Sequence, residues 1–166
     1  MIDRLRDVSP NRATRRTPLA VVTGALLAGV LVARSSPAAR EATAAQFAGY
    51  KWAVVSISHD GKTTPVPGKY SVYLQFTPDG HFGANEPVNY HSGSYRVTPD
   101  GFTTSGLVST AAGYTGRDPV VLLSVSAIST FSDDVRAQTT VSGSTLTVTV
   151  GSYTLLTHRD GSQANF

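Results

Sequence analysis

The stretch that most constrains this chain runs from Lys69 to Tyr95, KYSVYLQFTPDGHFGANEPVNYHSGSY. Within it Tyr70, Val72, Leu74 and Phe76 alternate with Ser71, Tyr73, Gln75 and Thr77. This period of two puts the first set on one face of a strand. Pro78-Asp79-Gly80 then turns the chain. Pro presets φ for the first turn position, Asp bonds its own downstream backbone, and Gly takes a positive φ without steric cost. A second strand is therefore expected from His81. The same tetrapeptide recurs as Thr98-Pro99-Asp100-Gly101, and an aromatic follows each copy, Phe82 and Phe102. Matching turns between alternating segments predict an antiparallel meander, and a single recurrence is too little for a solenoid.

The other segments extend this pattern. Lys51–Ser58 is rich in Val, Ile and Trp and reads as a strand that ends at a His59-Asp60-Gly61-Lys62 turn. Pro65 and Pro67 predict an irregular connection, and Ser94–Thr98 predicts a further strand. Asp118-Pro119 opens the one helix signal, since Asp caps well and Pro suits the first helical position. That helix should end near Phe131, although Val121, Leu123, Val125 and Ala127 also alternate as a strand would. Asp134–Val141, Thr145–Val150 and Tyr153–Arg159, separated by Ser142-Gly143-Ser144 and Gly151-Ser152, predict three more strands. The expected fold class is all-β with one short helix, a small antiparallel barrel or strongly curved meander sheet of about seven or eight strands, because closure or curvature hides the edges.

Residues 1–44 differ in kind from residues 45–166. Arg4, Arg6, Arg12, Arg15 and Arg16 precede an uncharged, largely apolar run from Thr17 to Ala33, followed by Arg34 and a Ser/Pro/Ala/Glu-rich spacer. This is the pattern of a secretory signal or an uncleaved anchor, and the run lies at the short end of what spans a bilayer. Ala42-Thr43-Ala44 and Ser36-Pro37-Ala38 are candidate cleavage sites. A cleaved signal, a retained anchor and an ordinary buried helix stay open, and Thr14-Arg15-Arg16 with Leu19 is a weak match to a twin-arginine signal. Seven Arg against Asp3, Asp7 and Glu41 give the first segment a net charge of +4, whereas the remainder carries −1. The basic balance therefore belongs to targeting and predicts no nucleic-acid partner. The membrane enters only through the N-terminal segment, and the localisation expected is extracytoplasmic, secreted or anchored. With no cysteine in the chain, disulfides, thiol catalysis, a lipid-modified cysteine and Cys-ligated zinc are all excluded.

Candidate sites are sparse. His81 and His91 flank Glu86 and could supply zinc or copper ligands, but they lack the usual ligand spacing and read equally as strand and loop residues. No Gly-x-Ser-x-Gly elbow accompanies the many serines. Asp133-Asp134 would point to opposite faces of a strand and reads as a solvated turn. No catalytic residue, metal set or cofactor is predicted. Asn85, Asn89, Tyr90 and His91 gather in a Gly-containing segment, and Tyr114 and Arg117 in a second loop, as a possible interaction surface. Against that stands a purely architectural reading, in which Asn89 bonds the loop backbone and Tyr95 is core.

Gly49 with Trp52, Leu74-x-Phe76 with Asp79-Gly80, Phe82-Gly83, Asn89 with Gly93-Ser94-Tyr95, Gly143-x-x-Leu146 and Tyr153-x-Leu155 together resemble the META domain, the HslJ-like family of bacterial envelope and heat-shock-associated proteins. The likeness runs from about Phe47 to Arg159. Val88 stands where members carry a Cys, Glu86-Pro87 replaces the preceding glycine, and the partner Cys expected near Thr110–Gly113 is missing. The resemblance implies an all-β domain with one helix, outside the cytoplasm, linked to stress resistance or envelope function and without established enzymatic chemistry. Two functions follow as expectations. The first is a non-catalytic interaction module whose partner is an envelope protein or small molecule. The alternative is a lipocalin-like carrier of a small apolar ligand, for which Gly49-x-x-Trp52 misses the lipocalin spacing by one residue and which needs a hollow interior.

Overall fold

Nine antiparallel strands, eight of them closed into a barrel, organise the computed structural model, which describes residues 46–163. In chain order they are β1 (Tyr50–His59), β2 (Lys62–Pro65), β3 (Tyr73–Phe76), β4 (His81–Asn85), β5 (Tyr90–Thr98), β6 (Gly101–Ser109), β7 (Arg136–Ser142), β8 (Thr145–Val150) and β9 (Tyr153–Gln163). An α-helix, α1 (Pro119–Ile128), lies between β6 and β7. Each strand from β3 to β9 pairs with its sequence neighbour, and β9 returns to β1 over nearly the whole length of that strand. The other side of β1 is divided. Lys51–Ala53 faces Gln75–Tyr73 of β3, while Ser56–His59 faces β2 across a tight turn at Asp60 (φ 48°) and Gly61 (φ 74°).

The interior follows from the alternation. Trp52, Val54 and Ile57 on β1, Leu74 and Phe76 on β3, Phe82 and Ala84 on β4, Leu146, Val148 and Val150 on β8 and Leu155 on β9 are all buried. Phe47, Phe76, Phe82, Phe102 and Phe131 meet edge-on, tilted or stacked with centroids 4.9–6.0 Å apart. Such arrangements add roughly 0.5–1.5 kcal/mol per pair beyond area burial. The indole of Trp52 donates to the Phe47 carbonyl (2.9 Å), so the ring is buried without an orphaned N–H. Side chains of the barrel itself occupy its centre.

Asp118 caps α1 as its residue type predicts. Its Oδ1 accepts from the Val120 amide (2.9 Å), while Oδ2 accepts from the Tyr70 hydroxyl (2.6 Å). The helix ends at Ile128, three residues before Phe131, and a turn then carries Phe131 into the core beside Phe82 and Phe102. Two expectations need correction. The strand expected over Tyr70–Thr77 is only Tyr73–Phe76, because Gly68–Tyr70 forms a 3-10 turn and Ser71 is left-handed (φ 50°). The irregular connection expected at Pro65 contains a short strand, β2, tolerated because it is an edge and its free side needs no donor.

The repeated tetrapeptide does two different jobs. At Thr77–Gly80 it forms a three-residue loop in which Gly80 adopts φ 93° and Thr77 pairs with His81. At Thr98–Gly101 the loop has two residues, and Gly101 already belongs to β6. A Cβ there would overlap the Ala137 carbonyl oxygen and come within 3.0 Å of Gln138 Cα. One glycine is needed for its torsion angle and the other for the close approach of β7.

Candidate functional site

Asn85 ends β4 and Tyr90 opens β5 directly opposite it, so the loop between them projects from one rim of the barrel. Beside that loop lies an open cleft of about 470 Å³ lined by Lys69, Tyr70, Asn85, Asn89, Tyr90 and Thr110, among others. Tyr73, Asn85 and Tyr90 form a cross-strand row on the outer surface of β3, β4 and β5. Burial pushes the Tyr90 phenol up, the nearby Tyr73 adds to this, and a hydrogen bond with Ser92 opposes it. Burial likewise raises Tyr73, whose ring also lies 4.1 Å beneath the Lys51 ammonium. The surface thus offers half-covered phenols flanking an amide, with cations at Lys51 and Lys69.

Asn89 is occupied. Its Oδ1 accepts from the Thr110 hydroxyl (3.0 Å) and the Ala112 amide (2.8 Å), and its Nδ2 donates to the Ala112 carbonyl (3.2 Å). It fastens the segment after β6 to the β4–β5 loop, which is the architectural role weighed for it. The Asn85 amide donates to the Ser71 carbonyl (2.8 Å), which holds the left-handed turn before β3. Tyr95 belongs with the core, its ring 5.3 Å from Phe76 and its hydroxyl donating to the Thr77 carbonyl (2.7 Å).

The remaining predicted residues lie elsewhere. Tyr114 and Arg117 are exposed but do not line this cleft; the Tyr114 hydroxyl accepts from the Asp118 amide (3.3 Å) and its ring rests against Gly116. His91 sits on the inner face of β5, two residues from Gly93 and four from Tyr95, so it cannot share a surface with Tyr90. Its side chain is 10% exposed, with Nε2 3.8 Å from Oε1 of the fully buried Glu86 carboxylate. Glu86 Oε2 accepts from the Val88 amide (2.7 Å). His81 is exposed at the start of β4, at the opposite end of that strand from Glu86, and faces Asp79 at 3.7 Å, so the two histidines do not converge on Glu86. Among the described residues no three His, Cys, Asp or Glu side chains gather as a metal site. Asp133 and Asp134 occupy a turn, where Asp133 accepts from the Leu107 amide (3.0 Å) and Asp134 is left-handed (φ 63°).

Sequence reasoning set His91 beside Glu86 but placed it on an interaction surface, and missed that the pair is buried. The signal was present in the parity of β5, because His91 shares the even spacing of Tyr95 and Val97. No helix among the described residues is long and apolar enough to cross a membrane, and the N-terminal segment expected to export or anchor the chain lies outside them.

The family described as META domain has a model that matches residues 45–160. Among solved structures, the chain is similar to the NMR structure of a protein from Burkholderia xenovorans, with 14% identity, 95% of this chain and 100% of that one covered, and a TM-score of 0.55. It is also similar to a second protein solved by NMR, with 19% identity, 70% and 93% coverage, and a TM-score of 0.53. At these identities the likeness shows the fold alone. No curated protein matches the chain.

Proposed function

The chain belongs to the META domain family, and from that premise we propose that it is a non-catalytic, extracytoplasmic binding module that presents the rim around Asn85–Tyr90 to a partner in the cell envelope. The observation that carries this is the convergence of Lys69, Tyr70, Asn85, Tyr90 and Thr110 on one open cleft outside a barrel whose centre is occupied by aromatic and aliphatic side chains. Tyrosines supply broad contact area at low entropic cost, and a neighbouring amide supplies adaptable hydrogen bonds. The carrier reading would put its ligand where Trp52, Phe76, Phe82 and Phe102 pack. Export rests on the basic and apolar N-terminal segment, and a part in stress resistance or envelope maintenance rests on the family resemblance.

A photo-crosslinking residue at Tyr90, compared with one at Gln138 on β7, tests the proposal in cells that produce the protein. A discrete protein adduct formed from position 90 and absent from position 138 is the expected result. Adducts of equal pattern from both positions, or a small molecule alone, would overturn it.

A further inference from the structure

The barrel is incompletely laced between β6 and β7. Strand pairing there covers only Gly101–Thr103 against Gln138–Arg136. Beyond it β6 bulges at Gly106 and Leu107, opposite Gly93 of β5, and the turn after α1 fills the gap. The Asp134 amide donates to the Thr104 carbonyl (2.9 Å), and the Leu107 amide donates to Oδ1 of Asp133 (3.0 Å). A side-chain carboxylate therefore stands where a neighbouring strand would have offered a carbonyl.

This arrangement leaves a cleft of about 320 Å³ lined by His91, Leu107, Val108, Ser109, Phe131 and Asp133. Beneath it lies the Glu86–His91 pair, in which neither Oε1 nor Nε2 has a hydrogen-bond partner although both atoms are buried. Such groups are costly unless something in their surroundings answers them. Nε2 is the ring nitrogen turned inward towards the carboxylate, which leaves Nδ1 as the one a ligand in the cleft can reach. Leu107, Val108 and Phe131 give the cleft an apolar side, and Val108 is 69% exposed. The charges close to the cleft are those of Asp133 on the rim and Glu86 behind His91, and the lining has no Lys or Arg.

Acceptors, negative charge and an apolar wall together select a ligand with an N–H⁺ donor and one apolar group. We propose that this cleft binds a small organic ammonium, a primary or secondary amine bearing a single aromatic or branched alkyl group. Its N–H donates to His91 Nδ1, Asp133 and Glu86 balance its charge, and its apolar group lies against Leu107, Val108 and Phe131. A metal cation fits less well, because among the described residues no third His, Cys, Asp or Glu joins His91 and Glu86 in a ligating array. Glu86 belongs to the Asn85–Tyr90 loop and also lines the rim cleft, but His91, Leu107, Val108, Phe131 and Asp133 do not, so variants at Val108 and Asp133 test this site apart from the rim.

The test is a titration of the full-length, isotope-labelled protein with phenethylamine and, in parallel, with 3-phenylpropionate, following the His91 ring nitrogens and the methyls of Leu107 and Val108 by NMR. Saturable shifts confined to these groups are expected from the amine and absent with the carboxylate. Asp133→Asn keeps an acceptor for the Leu107 amide and should weaken the amine by up to about fivefold, the size of one partly exposed charge interaction. Val108→Ser, at an exposed position, should weaken it without altering the fold. An unsaturable response, equal binding of the carboxylate, or full amine affinity in both variants would overturn the assignment.

Discussion

Replacing each glycine of the repeated Thr-Pro-Asp-Gly by alanine separates two reasons for a glycine that the sequence makes look identical. At position 80 the new Cβ meets only the Tyr95 carbonyl oxygen, at an ordinary 3.6 Å, so the cost is that of holding a non-glycine residue at φ 93°. That is about 1–2 kcal/mol. At position 101 the torsion is unremarkable, but the Cβ would overlap the Ala137 carbonyl oxygen and lie 3.0 Å from the next backbone atoms. Backbone cannot yield as a flexible side chain does, so β7 must move away. The β6–β7 seam consists of three residue pairs, and its hydrogen bonds contribute about 0.5–1.5 kcal/mol each. With Phe102 and Ala137 paired across it, both fully buried, opening the seam also loosens core contacts. Gly101→Ala should therefore cost about 3 kcal/mol, the upper end for forced core rearrangement and a large share of a domain stability of about 5–15 kcal/mol. Urea unfolding followed by far-ultraviolet circular dichroism measures both variants, and amide exchange should rise around Phe102 and Ala137 only in Gly101→Ala. Equal destabilisation of the two variants, or a larger loss at Gly80, would refute the close-approach argument.

Trp52→Phe should cost about 1–3 kcal/mol by orphaning the Phe47 carbonyl, and Trp52→Ala about 3–5 kcal/mol; chemical denaturation reads both, and native emission of a fully solvated indole would contradict the burial. The hydrogen bond from Tyr70 holds the Asp118 carboxyl below its ordinary value of 3.8, and the same bond raises the Tyr70 phenol above 10.0. The depressed acid contributes stability present above pH 3.8 and lost as pH falls through its folded value, while the raised phenol contributes stability present below pH 10.0 and lost as pH rises through its own. The stability difference between the protein and Tyr70→Phe should accordingly be flat between those limits and shrink at both ends, and a difference that grows at either end would count against the pairing. Asn89→Ala removes three hydrogen bonds to Thr110 and Ala112, so amide exchange at Ala112 should accelerate by an order of magnitude or more, corresponding to roughly 1–2 kcal/mol, with little change in the barrel strands.

Much of the architecture was legible because it is locally written. Leu146, Val148 and Val150 alternate on β8 and are buried in that alternation, and Asp118-Pro119 starts α1 through a cap that is complete within three residues. The shortening of β3 was not legible, because Ser71 goes left-handed under the Asn85 amide and Tyr70 turns away to Asp118, partners far along the chain. Gly80 and Gly101 could not be distinguished, since the length of each loop sets the torsion and the position of β7 sets the crowding. For the candidate site, Asn85, Asn89 and Tyr90 do come together on one rim, but residue type alone could not tell Asn89, spent on Ala112, from Tyr90, which faces the cleft. His91 was readable by counting along β5, and Asp133 was not, because it reaches β6 across α1.

The closure of β9 on β1 also governs when this chain can finish folding. Trp52 meets its cross-strand neighbour Arg159, and Ile57 meets Leu155, only when the last strand has been made. Every shorter nascent chain holds β1 and β8 with open edges, which are templates for joining other chains. Contacts between such distant parts of a sequence form slowly, in milliseconds to seconds for β-barrels of this kind. Loss of the last strand would therefore do more than trim an end: it would leave a sheet with two sticky margins, so that a premature stop near Tyr153 converts a self-contained barrel into a seed for aggregation.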